Sequence, residues 1–178
     1  VHEECEWAGG LHGLVDGDAA VSLLVDAVLL EWHVLGVVVG PLWLEGDVVL
    51  GLDNFNHYYD VTLKRTRASL LKRAGMTTLF EGDVCDGELL QTILTAGRVT
   101  NVIHLAAQAG VRYSLKKPLA YVEANVRCFV TILEAVKEVD KTLPITYASS
   151  SSVYGLNTEI PFSEKHRIES QASLYGAT

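Results

Sequence analysis

Residues 1–46 contain neither lysine nor arginine, although the whole chain of 178 residues holds 14. The start of the chain therefore lacks the basic n-region of a secretory signal. It also gives the positive-inside rule nothing to act on. The apolar stretch at 19–44 is interrupted by Asp26, Glu31, His33 and Pro41, so a buried segment is expected there rather than a membrane-spanning helix. Cysteine is scarce: Cys5, Cys85 and Cys128 are far apart and odd in number. This argues against a disulfide scaffold or a spaced zinc site, and predicts reduced thiols in or near a core. The six histidines form no i, i+4 pair, so no metal ligand set is expected. No basic patch is present, which leaves nucleic acid without a footprint. Internal repeats and low-complexity tracts are also missing.

The formal charge is −8, and eight of the 22 acids lie in 1–46, so acids and bases balance at 14 each afterwards. Apolar residues make up 49% of the chain, enough for one sizeable core. The composition changes near Gly46 and divides the chain into an atypical segment, 1–46, and a regular one, 47–178. In the first segment a strand is expected over 11–15, a helix over 19–32 and a strand over 34–39, but the apolar run is too continuous to mark a face.

From Asp47 onward, strands and helices alternate. A strand over 48–52 ends at Asp53 and Asn54. Asp60 is placed to cap a helix over 61–74, with Leu63, Leu70 and Leu71 inward and a basic outer face. A strand over 77–80 follows. Asp86 then caps a helix carrying Leu89, Leu90, Ile93 and Leu94. A strand over 101–105 runs into small residues, and His104 within it is expected to be a satisfied, buried histidine. A long helix over 118–139 has Val122, Val126, Phe129, Val130, Leu133 and Val136 assigned inward. A last strand covers 145–148. Short connections and apolar strands of this kind predict an α/β fold, a doubly wound parallel sheet with helices on both faces. Ligands bind such sheets beyond the carboxyl ends of the strands.

The polar residues at those ends are the candidate site. Asp53 is placed to accept hydrogen bonds from adenosine ribose hydroxyls, and Asp83 to bond an adenine edge. Small residues at 105–107, ahead of Gln108, allow a flat cofactor to approach the backbone. Asn125, on the inner side of the long helix, must be satisfied there, either as a tie to a strand-end loop or as part of the site. Four hydroxyls run from Ser149 to Ser152, and Tyr175 lies 25 positions after Ser150. A serine and a phenol over one ligand can move a proton at a substrate alcohol. The phenol needs a cation nearby, because its ordinary pKa of about 10 makes it a poor base near neutral pH.

The motifs GLDNFNHYYD at 51–60, HLAAQAGVRYS at 104–114, ASSSSVYGLN at 148–157, PFSE at 161–164 and SLYGAT at 173–178 resemble nucleotide-sugar epimerases. These belong to the extended short-chain dehydrogenase/reductase superfamily, the NAD-dependent epimerase/dehydratase family. The similarity is greatest to the plant UDP-glucuronate 4-epimerases, with the uronate preference resting mostly on AQAGVRY at 107–113. The resemblance implies a Rossmann-like sheet, incomplete here, with the C-terminal substrate domain missing and 47–178 a partial NAD-binding domain. It implies NAD as cofactor and a UDP-sugar as substrate. Tyr175 would take the proton of the sugar 4-hydroxyl as hydride passes from C4 to NAD, and a 4-keto sugar would turn over and be reduced on its other face. Ser150 would bond the 4-oxygen, with Ser151 and Ser152 lining the pocket and Arg112 near the acidic sugar. Asp53, Asn54, Asp83, Val84, Leu105, Ala106, Ala107, Gln108 and Asn125 would hold the cofactor. A homodimer and a Golgi membrane location are further family expectations.

The chain departs from the family pattern in three respects. No GxxGxxG loop precedes Asp53 at the family spacing; the segment 14–20 is a faint echo with one glycine between Asp16 and Asp18. The lysine placed four residues after the family tyrosine falls beyond Thr178, as does the family's substrate-binding half. These departures carry the alternative: a non-catalytic fragment or degenerate copy that retains an adenosine half-site. Another nucleotide-sugar epimerase or a decarboxylase is the remaining alternative for the family's activity.

Overall fold

The structure is a computed structural model and describes residues 20–25, 42, 44–75 and 78–178. Five parallel strands form one sheet: β1 (Val21–Val25), β2 (Val48–Asp53), β3 (Thr78–Glu81), β4 (Asn101–His104) and β5 (Ile145–Tyr147). Their spatial order is β3-β2-β1-β4-β5. The chain thus winds outward to one side of β1 and then crosses to the other. That reversal opens a crevice above the carboxyl ends of the strands.

The helix expected over 19–32 is corrected by β1, which takes Val21–Val25 as a strand. Val21, Ser22 and Leu23 are all buried. A strand covered on both faces shows no alternation, so a short apolar run reads equally as helix or strand. Segment 1–46 thus supplies the middle strand of the sheet. Thr100 fixes its start: Val21 N–H donates to Thr100 Oγ1 at 2.9 Å and Thr100 N–H to the Val21 carbonyl at 2.8 Å. The strands expected over 11–15 and 34–39 lie outside the described residues.

Strand alternation sends Val21, Leu23, Leu50, Leu52 and Val102 to one face. There they meet α2 (Gly87–Ala96) and α5 (Cys128–Asp140) through Leu90, Ile93, Leu94, Ile132 and Val136. Asp86 caps α2 as its sequence position predicts, accepting from Leu89 N–H at 3.0 Å. The other face carries Val49 against Ala68 of α1 (Val61–Arg73), with Phe55, Val61 and Leu71 around it. Asp60 caps α1, accepting from Leu63 N–H at 3.1 Å.

Two helix faces differ from their expected ones. In α1, Leu63 and Leu70 are exposed, while Lys64 is fully buried with its ammonium 3.8 Å from Asp53 Oδ1. Asp53, itself buried at the sheet's edge over α1, offers an ionic partner that hydropathy does not register. The long helix comprises α4 (Pro118–Tyr121), a π turn (Val122–Arg127) and α5. Val122, Val126, Val130 and Leu133 are exposed, and the buried face runs through Tyr121, Cys128, Ile132, Ala135 and Val136. Two apolar stripes lie side by side on this helix. The buried one carries the small residues Cys128 and Ala135, which let the helix approach α2 closely, and the Tyr121 hydroxyl, which satisfies carbonyls at a strand end. Phe129 and Val136 are inward as expected.

Leucine truncation distinguishes the observed α1 face from the periodic one. Leu90→Ala, at a fully buried site, should lower unfolding free energy by about 2–5 kcal/mol. Leu63→Ala, at a site 42% exposed, should cost less than about 1 kcal/mol. Urea titration of both variants measures the difference, and equal losses would return Leu63 to the core.

Candidate functional site

Four strand-end loops and the long helix build the site. After β2, side-chain carboxylate and amide oxygens lock the loop. Asp53 Oδ1 accepts Phe55 N–H at 2.6 Å, Asn54 Oδ1 accepts Asn56 N–H at 3.1 Å, and Asn56 Oδ1 accepts Tyr58 N–H at 3.1 Å. After β3, Asp83 Oδ1 accepts Cys85 N–H at 2.8 Å and its Oδ2 accepts the Asn54 amide at 3.0 Å. Asn54 and Asp83 are thereby paired across two strand ends. Each stays exposed toward a cavity of about 830 Å³, floored by Ala106, Ala107 and Gln108. Glu123 and Arg127 form a rim on the helix side, joined at 2.6 Å.

After β4 the loop is held from the helix. Asn125 Oδ1 accepts Gln108 N–H at 2.7 Å, and the Asn125 amide donates to the Gln108 carbonyl at 3.2 Å and to Thr178 Oγ1 at 3.1 Å. The two alternatives for Asn125 therefore coincide, for it ties the loop and lines the site. Tyr121 is fully buried, and its hydroxyl donates to the carbonyls of Ala109 and Gly110. Burial, then the neighbouring Tyr58, holds the Tyr121 phenol above its ordinary pKa, which keeps it a donor.

After β5, Ser150 precedes a 3₁₀ turn (Ser151–Tyr154) and its Oγ accepts Ser152 N–H at 3.3 Å. The chain returns to this turn through α6 (Leu174–Ala177). Glycine makes both close approaches. A Cβ on Gly155, whose φ is +53°, would fall on the Ser170 carbonyl, and a Cβ on Gly176 would lie 2.6 Å from the Ser152 carbonyl. With these contacts made, Ser150, Ser152, Asn125 and Tyr175 line a second cavity of about 530 Å³. Ala106 and Ala107 line both cavities. The two cavities thus adjoin at these small side chains and make up a groove in two parts, with Asp83 in the first and Tyr175 in the second.

Most of the expected site residues are in this groove: Asn54, Asp83, Val84 and Gln108 in the first cavity, Leu105, Asn125, Ser150, Ser152 and Tyr175 in the second, and Ala106 and Ala107 in both. Three lie outside both linings. Asp53 is buried below the groove with Lys64, Ser151 is exposed at the start of its turn, and Arg112 is exposed on α3 (Val111–Lys116). Sequence reading missed Tyr121 and Cys128. Their spacing with Asn125, at i, i+4 and i+7, was the available signal.

The expectation of reduced thiols is corrected. Cys85 and Cys128 form a disulfide with Cα atoms 4.4 Å apart, within the range such bonds use. A separation of 43 residues hides the pair from spacing rules, and only the packing of α2 on α5 brings them together. Asp83 lies within 4.8 Å of both sulfurs, but a disulfide sulfur is not the thiolate that a metal takes. His104 is also corrected in part. It is buried and stacks on Phe129 at 5.3 Å between ring centroids, yet its Nδ1 has no hydrogen-bond partner among the described residues. The strand orients the ring into an aromatic layer with Phe129 and Tyr147.

The sequence model of the GDP-mannose 4,6-dehydratase family matches residues 38–178. The chain belongs to this family. It is 54% identical over 133 residues to UDP-glucuronate 4-epimerase 4 of Arabidopsis thaliana, covering 75% of this chain and 30% of the relative. In three dimensions it resembles the UDP-glucuronic acid 4-epimerase of Bacillus cereus, solved with UDP-glucuronic acid and NAD. The TM-score there is 0.72 at 27% identity, covering 88% of this chain and 48% of that one. The UDP-glucose 4-epimerase of Bifidobacterium longum, solved with NAD+ and UDP, gives 0.73 at 25% identity, covering 89% and 45%. The chain thus spans about a third of the curated relative's length and just under half of each solved chain. No helix among the described residues is long and apolar enough to cross a membrane.

Burial lowers the His104 pKa to about 4, against about 6.5 unfolded. The unfolded chain therefore binds the proton first, so stability is full above pH 6.5 and is lost as pH falls toward 4. The expected loss is on the order of 3 kcal/mol. Urea unfolding from pH 7.5 to 4 should show this slope, and His104→Leu should flatten it. An unchanged slope in the variant would assign the acid lability to other groups.

Proposed function

We propose that this chain carries the cofactor groove and proton-transfer residues of a UDP-glucuronate 4-epimerase that works with NAD. The observation that carries the reading is the pair of cavities that share Ala106 and Ala107, one lined by Asp83 and the other by Ser150 and Tyr175. Its agreement with the Arabidopsis and Bacillus relatives supports it. The residues suit a dinucleotide. Asp83 and Asn54 present an acceptor and an amide to an adenosine, and two alanines leave room for a flat group at the backbone. The adenosine ribose would lie over the β2 end, where Asp53 sets the loop through Phe55 N–H. The segment 26–41, which follows β1 and where glycines would meet a pyrophosphate, lies outside the described residues.

NAD, when bound, supplies a reversible hydride acceptor. This chain's own groups would handle the proton and the positioning. Tyr175 would accept the sugar 4-hydroxyl proton and return it after the sugar turns. Ser150 would hold the 4-oxygen, with Ser152 completing the hydroxyl wall and Asn125 fixing the loop at Gln108. Ser151 and Arg112 would reach the sugar only from the groove's outer edge.

One observation favours a second reading, a chain that binds adenosine without catalysis: no lysine or arginine lines the Tyr175 cavity among the described residues. A phenol with an ordinary pKa near 10 needs such a cation to act as base. For the full-length protein, the exposed stripe of Val122, Val126, Val130 and Leu133 supports a homodimer. A Golgi membrane location rests on the family resemblance.

Incubation with UDP-glucuronate and NAD should give UDP-galacturonate, followed by liquid chromatography and mass spectrometry. Tyr175→Phe should lower the rate by about 10²–10⁴-fold. NAD binding without product would establish the second reading. Dimerisation predicts that Val126→Glu shifts the chain to a monomer in light scattering; an unchanged mass would remove the stripe from any self-contact.

A further inference from the structure

Cys85 and Cys128 both line the cavity that holds Asn54 and Asp83, and they belong to different elements. Cys85 belongs to the β3–α2 loop, two residues after Asp83, whose Oδ1 accepts its N–H at 2.8 Å. It directly precedes Asp86, the cap of α2. Cys128 opens α5, and its N–H donates to the Glu123 carbonyl, closing the π turn that carries Ala124, Asn125 and Arg127. The disulfide is therefore the one covalent tie among the described residues between the loop that presents Asp83 and the turn that presents Arg127. Cys128 is buried and Cys85 is half-buried at the cavity, so a small thiol reaches the Cys85 sulfur from the groove.

We propose that Cys85–Cys128 is a redox-sensitive latch that holds the β3–α2 loop and the π turn in register and thereby sets the affinity of this cavity for an adenine dinucleotide. The affinity part rests on the epimerase reading of the groove; the latch itself does not. In the closing step a glutathione-type disulfide is the oxidant. The Cys85 thiolate attacks it and expels one thiolate, and Cys128, losing its own proton, then attacks the mixed disulfide and expels the second. Two protein thiols are oxidised and the reagent leaves as two thiols. A dithiol reductant reverses both exchanges. Closed, the latch leaves less loop freedom to be lost on binding, which is how preorganisation raises affinity.

The test uses the purified chain after oxidation by glutathione disulfide and after reduction by a dithiol. Non-reducing peptide mapping should find Cys85 linked to Cys128 only in the first sample. Amide hydrogen exchange over 82–88 and 122–128 should be at least about fivefold faster in the reduced chain. NAD measured by calorimetry should bind about tenfold more weakly to the reduced form. Cys85→Ser and Cys128→Ala should each match the reduced chain and ignore the reductant. A missing linked peptide, equal exchange in both forms, or equal NAD affinity in both forms would overturn the proposal. If exchange changes while neither form binds NAD, the latch stands and the dinucleotide reading of the groove fails.

Discussion

The double hydrogen bond between the Asn125 side chain and the Gln108 backbone is the constraint on which the site depends. It closes a helix onto a strand-end loop and uses both functions of the amide, accepting at 2.7 Å and donating at 3.2 Å. A loop carrying small residues has little side chain with which to hold itself. Its conformation must come from outside, and Asn125 and the Tyr121 hydroxyl supply it from consecutive turns. The alanines can then remain small, which keeps the groove open between its two halves. The bond from Asn125 to Thr178 extends the same hold to α6, and so to Tyr175.

That constraint also explains which face of the long helix is buried. Hydropathy favours the stripe of Val122, Val126, Val130 and Leu133, which has more branched side chains. The stripe through Tyr121, Asn125 and Cys128 wins because its polar atoms have partners at the strand ends and its smaller residues permit contact with α2. Apolar residues then line the outside of the helix, as a surface for another body would require. The same competition appears in α1, where a buried lysine displaces leucine from the inner face because Asp53 lies beneath it.

Much of the fold was legible from Asp47 onward. Strand-to-helix alternation, the caps Asp60 and Asp86, and the strand-end positions of Asp83, Gln108 and Ser150 are local signals, and local signals survive folding. What failed was non-local. The first strand reads as helix because burial on both faces erases its period. Cys85 and Cys128 meet only through helix packing, and the pair of Lys64 with Asp53 depends on which face α1 turns inward. The serine run reads as a uniform hydroxyl wall in sequence, yet the 3₁₀ turn points Ser150 and Ser152 into the groove and leaves Ser151 outside.

The placement of β1 also changes what the glycine echo at 14–20 means. A phosphate loop must follow the first strand, because only there do a turn and a helix N-terminus aim their N–H groups at the ligand. With β1 at Val21–Val25, the echo precedes the first strand in sequence, whereas such a loop follows it. A loop of that kind belongs to the stretch of sequence between β1 and β2. The Tyr175 end raises a separate question, since its cavity wall offers hydroxyls, an amide and aromatic rings but no cation among the described residues. The two ends of the groove therefore differ in what these residues complete. The Asp83 end presents an acceptor, an amide and a floor of small residues, whereas the Tyr175 end presents hydroxyls, an amide and aromatic rings.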